Sequence, residues 1–216
     1  MSTISSGPAA RGLFITFEGP DGSGKSTQAR LLAQRLRGEG HDVLESAEPG
    51  GTPIGQQIRR ILLDPANREL TATSELLLMF AARAQNVEQW IVPALGEGRI
   101  VISDRFTDSS LAYQGAGRGL GRDIVLELDR MACHGVVPDL TLCIDIDSET
   151  GLARARARGG SETRLEEQDV GFHHTVRAAY QELARSAPQR FRLIDGRGTP
   201  EEIAAKLWEQ VAALIA

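Results

Sequence analysis

The chain has 216 residues, of which 41% are hydrophobic, enough to bury a core well above marginal size. A formal net charge of −5 argues against a nucleic-acid-coating protein and gives no expectation of a nucleic-acid partner. No apolar run approaches the ~20 residues that span a bilayer, and the opening MSTISSGPAA lacks the charged and apolar regions of a signal peptide. The expectation is therefore a cytoplasmic protein with no membrane partner.

Residues 1–10 read as a flexible tail and residues 11–216 as one domain, since no linker, repeat or low-complexity block interrupts them. The first predicted strand, Gly12–Phe17, runs into Gly19-Pro20-Asp21-Gly22-Ser23-Gly24-Lys25-Ser26-Thr27. Its first eight residues fit the phosphate-binding pattern G-x-x-x-x-G-K-[ST] at every fixed position, and a predicted helix, Gln28–Arg37, follows. Strand, loop and helix in that order are the context the motif needs. The glycines allow the backbone to wrap an anion. Loop amides and the helix N-terminus point at phosphates. Lys25 adds a point charge, and the Ser26 hydroxyl can reach Mg2+.

A weaker strand, His41–Ser46, and a helix, Pro53–Leu63, come next. The helical pattern over Thr73–Leu95 is long, and Leu76, Leu77, Leu78, Met79, Phe80, Val87, Trp90 and Ile91 give it more apolar surface than one face needs. It is either a central buried helix or a helix packed on another subunit. The short β-branched strand Arg99–Ser103 ends at Asp104-Arg105-Phe106. A carboxylate at a strand end beside a phosphate loop can hold Mg2+, directly or through water. The adjoining Arg105 can clamp phosphate bidentately. Further on lie a helix over Ile124–His134, a clear strand over Leu140–Ile146, helices over Ser148–Arg158 and Asp169–Arg185, a strand over Arg190–Ile194 and a helix over Pro200–Ile215. Strands alternating with helices imply an α/β fold, a parallel sheet covered on both faces with ligands beyond the carboxyl ends of its strands.

Cys133 and Cys143 have no metal or redox spacing and read as small core residues in a reducing compartment. None of the four histidines has ligand spacing. Asp195-Gly196-Arg197-Gly198 follows the last strand and reads as a turn; no guanine-reading N-K-x-D is present, which disfavours a nucleotide switch. Arg154, Arg156, Arg158 and Arg164 cluster, the first three at an i, i+2 spacing that no single helix face explains.

Four segments together resemble bacterial thymidylate kinases: Glu18 through Thr27, Glu48-Pro49-Gly50-Gly51, Asp104-Arg105-Phe106 with Ser110 and Tyr113-Gln114-Gly115, and the Arg-rich stretch ending Arg164-Leu165-Glu166. The similarity runs in register from about residue 12 to the C-terminus. It implies the three-layer P-loop NTPase fold, with a five-stranded parallel sheet flanked by helices. It also implies phosphoryl transfer from ATP to dTMP with Mg2+, and a two-fold homodimer. By that resemblance Gly19–Thr27 bind ATP, and Lys25 and Ser26 serve ATP and the metal with Asp104. Asp21 faces the 3′-hydroxyl of dTMP. Arg59 and Arg105 lie near its phosphate, Arg83 near a thymine carbonyl, and Ser110 and Gln114 at the base edge. Tyr113 fills the space of a ribose 2′-hydroxyl. Met79 or Phe80 stacks on the base.

Residues of about 154–166 form the implied lid. The phosphate loop holds no Arg, so the catalytic cation is expected from lid residues such as Arg158 and Arg164. Ser46-Ala47 stands where many relatives have Thr-Arg, one cation fewer. A kinase for another monophosphate would differ at Arg83, Ser110 and Gln114, which favour a pyrimidine with two carbonyls.

Overall fold

Five short strands build one wholly parallel sheet in the order β2-β3-β1-β4-β5. They are β1 (Phe14–Glu18), β2 (Val43–Ala47), β3 (Ile100–Asp104), β4 (Leu140–Asp145) and β5 (Phe191–Asp195). The computed structural model describes residues 11–157 and 163–215; the expected tail over 1–10 lies outside them. The period-two side-chain alternation of a strand explains how the sheet buries both faces. In β1, Phe14 joins one apolar cluster while Ile15 and Phe17 join the other. In β4, Cys143 faces the first and Leu140, Leu142 and Ile144 the second. Cys133 and Cys143 are both buried thiols.

The second cluster is closed by α1 (Lys25–Gly38) and α9 (Pro200–Ile215). The first is closed by α3 (Ala72–Asn86), α6 (Arg122–Ala132) and α8 (Val170–Ser186). Before them α2 (Pro53–Leu63) packs on α3, and α7 (Ser148–Ala157) packs on α8. Thr52, Thr71 and Asp169 cap α2, α3 and α8 by accepting the amides of Gly55, Ser74 and Phe172.

The sequence predicts one helix over Thr73–Leu95. The chain instead forms α3, a π-helical turn over Val87–Ile91 and the short α4 (Val92–Gly96). Pro93 supplies the reason: it lacks an N–H and its ring clashes with the carbonyl four residues back, which a widened turn relieves. A second π-helical segment, Leu111–Gly117, continues from α5 (Thr107–Ser110). No helix is predicted there from the sequence, yet this segment carries Tyr113 and Gln114. None of the described helices is long and apolar enough to cross a membrane.

Candidate active site

The sheet register assembles the site. Phe17 of β1 pairs with Asp104 of β3, so the phosphate loop leaves the sheet beside the end of β3. Gly19, Gly22 and Gly24 take positive φ values of 131, 73 and 94°. A Cβ on Gly22 would lie 1.8 Å from the Gly151 carbonyl oxygen, so no other residue fits between the loop and α7. Gly24 caps α1 with no side chain, and the first turn of α1 holds no acid. The unpaired amides of that helix end therefore face the loop, as anion binding requires.

Lys25 curls over the loop and donates to the carbonyls of Gly19 (2.9 Å) and Pro20 (2.7 Å). Burial, then the neighbouring Arg105, push its pKa down to about 8 against the pull of Asp21, Asp104 and Glu18. The Ser26 hydroxyl donates to Asp104 Oδ2. These two oxygens, meeting at the mouth of the loop, suit a hard divalent cation.

Arg105 sits at φ 74°, a left-handed turn directly after β3 that carries its side chain back over the loop. Its Nη2 pairs with Asp21 Oδ1 at 2.6 Å and donates to the Tyr113 hydroxyl at 3.2 Å. Its Nη1 reaches Ser109 Oγ at 3.0 Å and Tyr180 Oη at 3.3 Å. Tyr113 in turn donates to Asp21 Oδ2 at 2.9 Å. Burial raises the Asp21 carboxyl, but Arg105 and Lys25 overcome it and hold it below the ordinary value. Behind this group stands Glu18, fully buried. It accepts from the Phe106 amide (2.8 Å), the Tyr180 hydroxyl (3.0 Å) and the Ser109 hydroxyl. Burial, with the nearby Asp108 charge, pushes its pKa up to about 7.

A cavity of about 610 Å³ opens from the loop. At its far wall Arg83, only 2% exposed, donates Nε to Glu48 Oε2 (2.6 Å) and Nη2 to the Phe106 carbonyl (3.0 Å) and Ser110 Oγ (3.1 Å). Asn86 donates to the second Glu48 oxygen at 3.0 Å. Arg83 Nη1 is buried and has no partner. A buried unpaired donor costs about 1–3 kcal/mol. Arg59, Met79, Ser110, Tyr113 and Gln114 line the same cavity. Phe80 does not: it lies in the core, its ring beneath the Arg83 guanidinium at 4.5 Å. Of the two stacking candidates, Met79 is the one at the cavity wall.

The lid arginines part company. Arg154 lines the cavity and Arg156 is exposed on α7; Arg158, with residues 159–162, lies outside the described residues. Arg164 departs from expectation. It is 4% exposed, donates to the Leu62 carbonyl at 3.0 Å and pairs with Glu75 Oε2 at 2.6 Å. A guanidinium so tied is an anchor for the root of the segment, not a mobile cation.

Sequence reasoning passes over Glu18 as a support for Ser109 and Tyr180, and over Glu75. The signal for Glu75 is its spacing. Glu75, Met79 and Arg83 recur every four residues and so share one helical stripe, the one that faces the site.

The family model described as thymidylate kinase matches residues 17–207. The thymidylate kinase of Pelobacter propionicus is 50% identical over 205 residues, 93% of this chain and 94% of that protein. That of Deinococcus radiodurans is 46% identical over 94% of this chain and 98% of its own. The crystal structure of thymidylate kinase from Ehrlichia chaffeensis superposes with a TM-score of 0.76 at 32% identity, covering 94% of this chain and 99% of that one. With its phosphate loop, its strand-end Asp104-Arg105 and its Arg83 wall in place on that fold, the chain belongs to the thymidylate kinase family.

Proposed function

We propose that the protein transfers the γ-phosphoryl group of ATP to dTMP, giving ADP and dTDP. The observation that carries the reading is the Arg83 guanidinium, held by Glu48 and Ser110 in the wall of a nucleotide-sized cavity that the phosphate loop also lines. A donor-only group there suits the O4 of thymine and opposes the N4 amine of cytosine. In the reaction a dTMP phosphate oxygen attacks the γ-phosphorus as its bond to the ADP oxygen breaks. The protein supplies alignment and charge neutralisation. Loop amides and Lys25 hold the ATP phosphates. Arg105 and Arg59 receive the dTMP phosphate, Arg105 leaving Asp21 in part to do so. Tyr113 stands on the Asp21 side, where its bulk opposes a 2′-hydroxyl. Ser26 and Asp104 would hold Mg2+, which supplies charge neutralisation between the phosphates when bound.

Lid arginines at 154, 156 and 158 complete the positive cradle. The lid spans about residues 154–166 within a single domain. The protein acts as a homodimer that packs the outer face of α3, where Leu77 is 52% exposed and Trp90, in the π turn that follows, is 41% exposed. The test is a turnover panel with ATP and Mg2+. kcat/KM for dTMP should exceed those for dCMP and UMP, and dUMP should lose only a methyl contact of about 1–3 kcal/mol. A chain that favoured dCMP or UMP would refute the substrate while leaving phosphoryl transfer intact.

A further inference from the structure

One buried carboxylate stands behind the cavity wall and takes no part in the chemistry above. Glu75 lies in the first turn of α3 with no exposed surface. Its Oε1 accepts Gln114 Nε2 at 2.8 Å and Arg118 Nε at 3.3 Å. Its Oε2 accepts Arg118 Nη2 at 3.0 Å and Arg164 Nη2 at 2.6 Å. Burial alone would raise the carboxyl, but the donors from Gln114, Arg118 and Arg164 hold it below the ordinary value.

An ionised carboxylate only accepts hydrogen bonds, whereas an amide has a donor end and an acceptor end. Gln114 must therefore turn its NH2 to Glu75. The flipped amide would set its oxygen against the carboxylate and lose the only donor it can offer there. Gln114 is buried and lines the cavity, so the end directed away from Glu75 is the oxygen. A free Gln would read either hydrogen-bond polarity; a Gln fixed by a carboxylate reads one.

We propose that Glu75 is a specificity-positioning residue: through Gln114 it fixes an acceptor on the cavity wall, and so selects a base that presents a ring N–H there. Thymine and uracil carry that N–H at N3, while the N3 of cytosine is itself an acceptor. This rests on the dTMP reading and adds a second, independent element of discrimination to that of Arg83. It also links the base-reading wall to the root of the lid, since the same carboxylate holds Arg164.

Glu75→Gln tests it. The substitution keeps shape but replaces a pure acceptor by an amide, so Gln114 can flip. kcat/KM is measured for dTMP, dUMP and dCMP. The dTMP:dCMP ratio should fall about tenfold or more, while dTMP:dUMP stays as in the wild type, because the methyl group is not read through Gln114. Arg164→Met is the structural control: it removes a still shorter bond to Glu75 without touching Gln114, and should lower the melting temperature but leave dTMP:dCMP unchanged. If Glu75→Gln does not fold, Glu75→Gln with Arg118→Met keeps the net charge of the cluster and gives the same readout. A smaller fall in the ratio, or an equal fall in Arg164→Met, overturns the proposal. A wild-type protein that used dCMP as well as dTMP would overturn the dTMP reading, and this with it. A selective wild type with an equally selective Glu75→Gln overturns the positioning role alone.

Discussion

At the scale of single residues, the site is a set of buried charges held by neighbours that differ in what they can give up. Lys25 bonds only to backbone carbonyls and Ser23, so incoming phosphate oxygens can take it without leaving an ion pair broken. Lys25→Ala should keep the circular dichroism of the wild type and lower kcat by about 10²–10³ or more; a folded, fully active variant would refute phosphoryl transfer at this loop. Glu18 behaves differently. Its folded pKa of about 7 exceeds the ordinary 4.5, so between those values the native state binds more protons than the unfolded chain. Stability therefore falls as pH rises through that window, by on the order of 3 kcal/mol once pH exceeds the folded value. Glu18→Gln removes the titration. The melting temperature of the variant relative to wild type should climb from pH 5 to pH 8, and a constant difference would show that Glu18 does not titrate in that range. The motif residues Gly19–Ser26 were legible from the chain because their chemistry is local. The role of Glu18 was not, because its partners Ser109 and Tyr180 lie 91 and 162 residues away.

At the scale of elements, legibility follows hydrophobic periodicity. All five strands are foreseen to within two residues at either end, since each is a short apolar run between helical patterns. The helical continuation over Thr107–Gly117 is not. Its run of Asp108, Ser109 and Ser110, then Gly115 and Gly117, has weak helix propensity, and burial against α8 decides the matter instead. The Arg-rich stretch shows the limit of counting charges. Arg154 and Arg164 read alike in sequence, yet one lines the cavity and the other is buried against Glu75 and the Leu62 carbonyl. Breaking a buried ion pair by removing one partner costs about 3–5 kcal/mol. Arg164→Ala should thus lower thermal stability markedly, with the loss of activity tracking the loss of fold. Arg154→Ala should leave the melting temperature near wild type. An Arg164→Ala protein as stable as wild type would return Arg164 to the role of a mobile cation.

At the scale of the whole molecule, the outer face of α3 remains to be accounted for. The inner stripe of this helix, Glu75, Met79 and Arg83, is committed to the site, and Leu76 and Phe80 are committed to the core. Leu77 is left outside, with Ala81 one turn further along the same face and Trp90 exposed in the π turn that follows. Two further apolar residues, Ile54 and Ile61, are exposed on the neighbouring α2, one heptad apart. These side chains lie on two helices that pack together, and a self-complementary pairing across a two-fold axis would bury them. Because the inner and outer faces belong to one rigid helix, pairing on the outside would also brace the wall that carries Met79 and Arg83. Sedimentation equilibrium at micromolar concentration should give twice the chain mass of 23.3 kDa. Leu77→Arg places a charge on the outer face of α3 and should weaken association by a factor on the order of 10–100. The monomeric variant should also bind dTMP less tightly, since its α3 loses the brace. Wild-type protein that sediments as a monomer would refute the dimer. A monomeric Leu77→Arg with wild-type dTMP affinity would leave the dimer standing and remove only its link to the site.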